Sequence, residues 1–385
     1  VGWSYRIATV RGIDVKIHAT FVLIVLLVAG NWSSFGVSGV AFGAALMLLL
    51  FACVTLHEFG HALAAQRYGI PVREIVLLPI GGMAMLGRNP RNAVQELVIA
   101  AAGPAVNVAI IVLLLPALWL LGEAATINTW LLRPRPDATM SLAEALQWLI
   151  TANVNLVLFN LIPAFPLDGG RILRGLLGLR MDWGRATRWA TGVGQGLAVV
   201  MGIGALATGQ IFLLVIAVLV FVGATATSAD EQARSILSTQ RVGNACNRHA
   251  TSLVEGDRLS SVVRHLLTSY QPDFAVLDGR ELRGVVLRSS VLAALAARRG
   301  DVPVTTLMTT CPRVDAADSL ADVRATLEES GTQVAAVYDR HGFVGLVGLD
   351  DLREAETVLA FLERAHGPNA AAWLTAPSAA RGAEV

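Results

Sequence analysis

Charge is scarce in this chain of 385 residues. Asp, Glu, Lys and Arg make up 15% of it against 54% hydrophobic residues, too apolar for an ordinary soluble protein. The few charges nearly cancel, at a formal +1, and give no argument for nucleic acid or for an acidic substrate. Cysteine is almost missing. Cys53, Cys246 and Cys311 stand far apart with no paired spacing, which speaks against a disulfide framework. Lys16 is the only lysine, a bias of genomic composition rather than of function. The first apolar run begins near Ala19 and lacks a small-residue cleavage site, so no cleavable signal peptide is expected. The chain does not begin with Met, which suggests processing or trimming.

What is present is unevenly spread. Residues 1–226 hold several uninterrupted apolar runs, whereas 227–385 have the mixed composition of a soluble domain. A membrane span needs roughly 20 mostly apolar residues. Six segments qualify, at about 19–36, 39–65, 95–121, 143–163, 186–207 and 210–227. Arg6, Arg11 and Lys16, then Arg67, Arg73, Arg88 and Arg91, then Arg171, Arg174, Arg180, Arg185 and Arg188 flank alternate span ends, against only Arg133 and Arg135 on the other side. The positive-inside rule then puts both termini in the cytoplasm, together with everything after residue 226. Trp32, Trp119, Trp130 and Trp148 fall near outer span ends, as an interfacial belt requires. The expectation is a multi-pass α-helical domain of the cell membrane, with about six transmembrane helices.

The second span contains L-H-E-F-G-H in its inner part, with His57, Glu58 and His61 inside an apolar run. An ionisable residue at membrane depth costs about 2.5–3.5 kcal/mol on insertion scales, so three within five positions need a compensating partner. His57 and His61 lie four apart, which stacks both imidazoles on one helix face. Two imidazoles so spaced can hold one zinc ion, with Glu58 beside them to take a proton from metal-bound water. The plainer reading is two interhelical histidines with Glu58 as their hydrogen-bond partner. A catalytic zinc usually has three protein ligands. The stretch L-V-L-F-N-L-I-P-A-F-P-L-D-G-G-R from Leu156 to Arg171 offers one carboxylate, Asp168, behind Pro163 and Pro166 and before Gly169 and Gly170. Prolines break helical bonding and glycines allow close approach, so the backbone here lines a cavity or is buried in protein. The alternative for Asp168 is a helix N-cap.

H-E-F-G-H on one span and N-L-I-P-A-F-P-L-D-G on a later one together resemble the site-2 protease family of intramembrane zinc metalloproteases (peptidase M50), over roughly residues 1–226. The resemblance implies His57, His61 and Asp168 as ligands of one Zn2+ ion and Glu58 as catalytic base and acid. It implies Asn160 as an amide donor to the substrate carbonyl or its oxyanion, where an interhelical hydrogen bond is the competing reading. Gly103-Pro104-Ala105-Val106-Asn107 allows close helix packing beside the site, and packing alone is enough to explain Gly103. Residues 72–86 read as two short strands around Gly81 and Gly82. In the family this resembles a hairpin dipping into the membrane, whose edge could pair with unwound substrate; a plain surface hairpin fits as well. His18, with no carboxylate or second His near it, is structural. The segment between the second and third spans is too short for a PDZ fold.

Residues 242–357 repeat at an offset of 61 positions. Leu259, Val262 and Leu266 recur as Leu320, Val323 and Leu327; Ala275, Val276 and Asp278 as Ala336, Val337 and Asp339; Gly284 as Gly345. Each copy reads as helix, strand, turn, strand, helix. This resembles a tandem pair of cystathionine-β-synthase (CBS) domains, an α+β module expected at 242–300 and 301–357 after a linker at 227–241, and so the CBS-containing subgroup of the protease family. CBS pairs often bind adenosyl nucleotides at a G-h-h-T-x-x-D signature (h, apolar). Here Leu287 and Ser290 replace its Thr and Asp in the first copy, and Gly348 replaces the Thr in the second. Only Asp351 is left to bond a ribose hydroxyl, and a dimerising or gating module is the better fit. Residues 358–385 read as a helix end followed by an Ala-, Gly- and Pro-rich disordered tail.

These readings converge on an endopeptidase that cleaves transmembrane segments in regulated intramembrane proteolysis, with the bilayer and a previously trimmed membrane protein as partners, a homodimer formed through the CBS pair, and no nucleic acid. The rival is a CBS-gated transporter or channel with a His/Asp ion path. A metal-binding pseudoprotease is disfavoured by the intact Glu58.

Overall fold

The computed structural model describes residues 3–366 except 79–80, 88–89, 91, 125–139, 248–249 and 270. Arg88, Arg91, Trp130, Arg133, Arg135 and the tail after His366 therefore lie outside the described residues. The chain forms two compact units, Val1–Ala229 and Asp230–Val385.

The first unit opens with two strands, β1 (Ser4–Val10) and β2 (Ile13–His18). Arg11 and Gly12 join them, both at positive φ, the two-residue turn whose twist suits a hairpin. Helix α1 (Phe21–Gly30) follows, and then a 3-10 turn at Ser33–Phe35 leads into α2 (Gly36–Arg67). The expected span at 19–36 is thus corrected. A helix of ten residues is about 15 Å long, half the ~30 Å of a bilayer core. The break falls where Trp32 turns inward against Phe35 and Phe42. A Cβ on Gly43 would come within 2.9 Å of Trp32 Cγ, so α2 is notched to receive that ring.

Strands β3 (Val72–Leu78) and β4 (Gly81–Leu86) form the expected antiparallel hairpin. They join the first two strands in one sheet of order β1-β2-β3-β4, with β2 parallel to β3. Ile13, Val15, Ile75 and Leu77 pack from this sheet onto Ala62 and Ala65 of α2. The remaining helices of the unit are α3 (Ala93–Leu120), α4 (Leu142–Asn160), α5 (Asp168–Gly178), α6 (Trp183–Thr208) and α7 (Ile211–Ser238). Among the described residues five helices are long and apolar enough to cross a membrane: the 3-10 turn with α2, then α3, α4, α6 and α7. Their outward faces carry Leu113, Leu120, Val200, Ile203, Phe212 and Val222, all exposed. That much apolar surface suits hydrocarbon, not water.

The linker expected at 227–241 is largely helix, because α7 continues to Ser238. It holds no Gly or Pro to break the helix, and Leu237 is fully buried in the core of the second unit.

After the short α8 (Val242–Ala245), the second unit builds the repeat as β5 (Ser252–Val254), α9 (Leu259–Thr268), β6 (Phe274–Asp278), β7 (Glu281–Val286) and α10 (Arg288–Ala296). The second copy is β8 (Arg313–Asp315), α11 (Leu320–Ser330), β9 (Val334–Asp339), β10 (Gly342–Gly348) and α12 (Leu349–His366). The helix–strand–strand–helix order is as read from sequence. Each copy adds a strand at its start, parallel to the next, that three residues were too few to signal. Repeat-related residues occupy equivalent places. Val276 and Val337 face their own cores, while Ala275 and Ala336 share a third core between the two sheets. Gly284 pairs with Val276 and Gly345 with Val337, each beside a register shift.

Leu327 is 1% exposed in the second copy's core. Leu327→Ala should cost about 2–5 kcal/mol, so amide exchange of β9 should quicken at least about 30-fold while that of α2 is unchanged.

Candidate metal centre

His57 and His61 are buried on one face of α2, as their four-residue spacing requires. Asp168 reaches them from a different part of the chain. Helix α4 stops at Asn160, and residues 161–167 run as non-helical turns containing a cis Phe165–Pro166 bond. Asp168 is then the first residue of α5, and Leu167 is the cap position, so the N-cap reading of Asp168 does not hold. Gly169 and Gly170 let the chain fold back on itself. A Cβ on Gly169 would overlap the carbonyl oxygens of Leu161 and Ile162, and one on Gly170 would lie 2.6 Å from the Phe165 nitrogen.

The three side chains meet. His57 Nε2 and His61 Nε2 are 3.1 Å apart, and each is 3.2 Å from Asp168 Oδ2. The outer nitrogens are already committed: His57 Nδ1 faces Asn107 Oδ1 at 2.9 Å, and His61 Nδ1 faces the Ile99 carbonyl at 2.7 Å. Carbonyl oxygens only accept, so both Nδ1 atoms carry the hydrogen and both Nε2 lone pairs point inward. Two such lone pairs and a carboxylate oxygen repel one another unless a cation lies between them. Their separations approach the roughly 3.3 Å edge of a tetrahedron with zinc–ligand bonds near 2.0 Å. The donor set therefore fits zinc. Gly103 leaves the space for it, because a Cβ there would overlap His61 Nε2 and come within 2.7 Å of His57 Nε2.

Glu58 stands apart from the triad. Its Oε2 accepts the Ala84 N–H of β4 at 3.1 Å, and a Cβ on Gly82 would overlap its Cγ. The hairpin thus holds Glu58 free of the metal ligands, with β4 as the edge strand beside it. Asn160 is half-buried, and its Nδ2 donates to the Leu156 carbonyl of its own helix at 3.0 Å, not to another helix. Sequence reasoning passed over the part played by Asn107. Its place four residues after Gly103 was visible, but only the fold brings it to His57. His18 lies away from this group, against Thr20.

In the second unit Asp351 Oδ2 accepts the Gly348 N–H at 2.7 Å, at the start of α12. Asp273 Oδ1 likewise accepts the Arg288 N–H at 3.0 Å. Burial pushes both carboxyls above the usual carboxylate range. Repulsion from Asp351 and Asp350 adds to the effect on Asp273, and repulsion from Glu354 and Asp350 to that on Asp351.

Comparison with known proteins gives two family matches: peptidase family M50 over residues 45–203 and the CBS domain over 304–357. The chain is 35% identical over 225 residues to zinc metalloprotease MJ0392 of Methanocaldococcus jannaschii, covering 58% of this chain and 60% of that protein. It is 27% identical over 145 residues to stage IV sporulation protein FB of Bacillus subtilis, 37% of this chain and 43% of that one. The chain thus spans less than two thirds of the length of either. Among solved structures, the site-2 protease from Methanocaldococcus jannaschii is 36% identical and aligns over 59% of this chain and 95% of that one, with a TM-score of 0.42.

Removing the partner of His57 by Asn107→Ala should weaken zinc binding about 10–100-fold, the usual effect of losing a bond to a ligand histidine. Competition with a calibrated chelator measures it.

Proposed function

We propose that this chain, a member of peptidase family M50 through residues 45–203, is an intramembrane zinc-dependent endopeptidase that cleaves transmembrane segments of membrane proteins. One observation carries the reading: His57, His61 and Asp168 converge with Glu58 beside them, in a unit whose long helices are apolar enough to span a bilayer. A polar cluster of this kind serves chemistry far better than it serves stability.

His57, His61 and Asp168 would hold the zinc, which when bound would supply Lewis acidity to a water molecule and to the scissile carbonyl. Glu58 takes the proton of the attacking water and returns it to the amine nitrogen that leaves. The Ala84 N–H bonded to one oxygen of Glu58 holds the carboxylate in place while its other oxygen handles the proton. Asn160 has two N–H donors, of which one is committed to Leu156. The second is assigned to the substrate carbonyl oxygen as charge develops there.

Substrate backbone must be unwound before it can be cut. As an edge strand of its sheet, β4 can take an extended segment by strand addition next to Glu58. The arginine distribution favours cytoplasmic termini, a multi-pass topology and release of fragments on the cytoplasmic side. We assign the CBS pair to homodimerisation and gating. Asp351 already caps α12, and the carboxylates of Asp351, exposed, and Asp273, half-buried, repel phosphate, which argues against a nucleotide ligand.

Glu58→Gln keeps the side-chain shape and loses the base. In proteoliposomes holding a transmembrane substrate, cleavage should fall at least about 100-fold while zinc stays bound one per chain. Cleavage at the wild-type rate sinks the proposal.

A further inference from the structure

Glu96 is fully buried in α3, three residues before the carbonyl that holds His61. A carboxylate in such surroundings is costly unless paired. Its Oε1 accepts from Arg171 Nε at 3.2 Å and from Arg174 at 2.6 Å, both on α5. The Arg174 guanidinium also lies over two rings, 5.0 Å from the centroid of Phe165 and 4.8 Å from that of Trp183. One arginine thus joins α3, the turns before Asp168, α5 and the start of α6.

The placement matters because of what precedes Asp168. No helix continues into it from the N-terminal side, so its orientation must come from the way α5 itself is held. Helix α3 supplies that hold along a single stripe. Glu96, Ile99, Gly103 and Asn107 follow at spacings of three, four and four, one face of a helix. Asn107 and the Ile99 carbonyl orient the histidines, Gly103 leaves them room, and Glu96 grips the helix that begins with the third ligand. A Cβ on Gly175 would lie 3.2 Å from Leu97 Cβ, so α5 lies against α3 at this level.

We infer that Glu96 is a positioning residue for the metal centre, acting through Arg171 and Arg174 to set the Asp168 carboxylate against His57 and His61. The inference rests on the metal-site reading above. Its test uses the full chain in detergent, stripped of metal and titrated with Co2+, whose visible absorption reports the ligand geometry. The wild type should bind tightly and Asp168→Asn should not. Glu96→Gln should raise the Co2+ Kd about 10–100-fold and alter the visible band, with helix content by circular dichroism unchanged. Wild-type affinity and spectrum in a folded Glu96→Gln chain overturn the positioning role alone. A wild type that binds no Co2+ overturns the metal reading and this inference with it. Should Glu96→Gln fail to fold, the triple variant Glu96→Gln/Arg171→Gln/Arg174→Gln decides, since it leaves no guanidinium facing a lost partner. The same weakening there supports the inference, and wild-type affinity overturns it.

Discussion

Two imidazole lone pairs and a carboxylate oxygen within about 3.2 Å of one another form a cluster of acceptors with no hydrogen to share. In an apolar interior that repulsion is poorly screened, and a metal cation between the three atoms relieves it. Most of the polar detail in the first unit can be traced to this requirement. The Asn107 amide and the Ile99 carbonyl fix which nitrogens face inward. Gly103 gives up a side chain so that the space stays open. Pro163, Pro166, Gly169 and Gly170 end one helix and start another so that a carboxylate can arrive from a direction no continuous helix offers.

The four-stranded sheet plays a different part. Its inner face packs on α2 around Ala62 and Ala65, next to the histidines, and so brings β4 level with Glu58. Glu58 and the group of His57, His61 and Asp168 are thereby held by separate elements, hairpin on one side and helices on the other. This lets Glu58 stay off the metal although it is the immediate sequence neighbour of His57.

The site was more legible in the sequence than the fold around it. His57, Glu58, His61 and Asp168 could be named because ionisable residues in apolar runs are conspicuous and their helical spacing is fixed. Asn107 and Glu96 could not be assigned partners, because theirs lie on elements 50 and 75 or more residues away. The span expected at 19–36 failed for a local reason. Its apolar content is continuous, but Trp32 packs inward against α2 and turns the chain there, a tertiary contact that hydropathy does not register. The first hairpin has only a short signal, the alternation of Ile13, Val15 and Ile17 and the turn pair Arg11-Gly12. In the second unit the repeat at 61 positions carried the architecture, and the unbroken α7 shows that a shift in composition need not be a shift in secondary structure.

The ligands of the metal centre are far apart along the chain, with Asp168 following His61 by more than a hundred residues. During synthesis the two histidines leave the ribosome long before their carboxylate exists. Two imidazoles without it hold a metal weakly, so the centre closes only after most of the first unit has been made and inserted. Closing a loop of that length is an entropic cost that the ion offsets once, at the end. The complete set of His57, His61 and Asp168 is therefore absent until the chain has grown past Asp168, and tight metal capture waits for the turns and helix that present it.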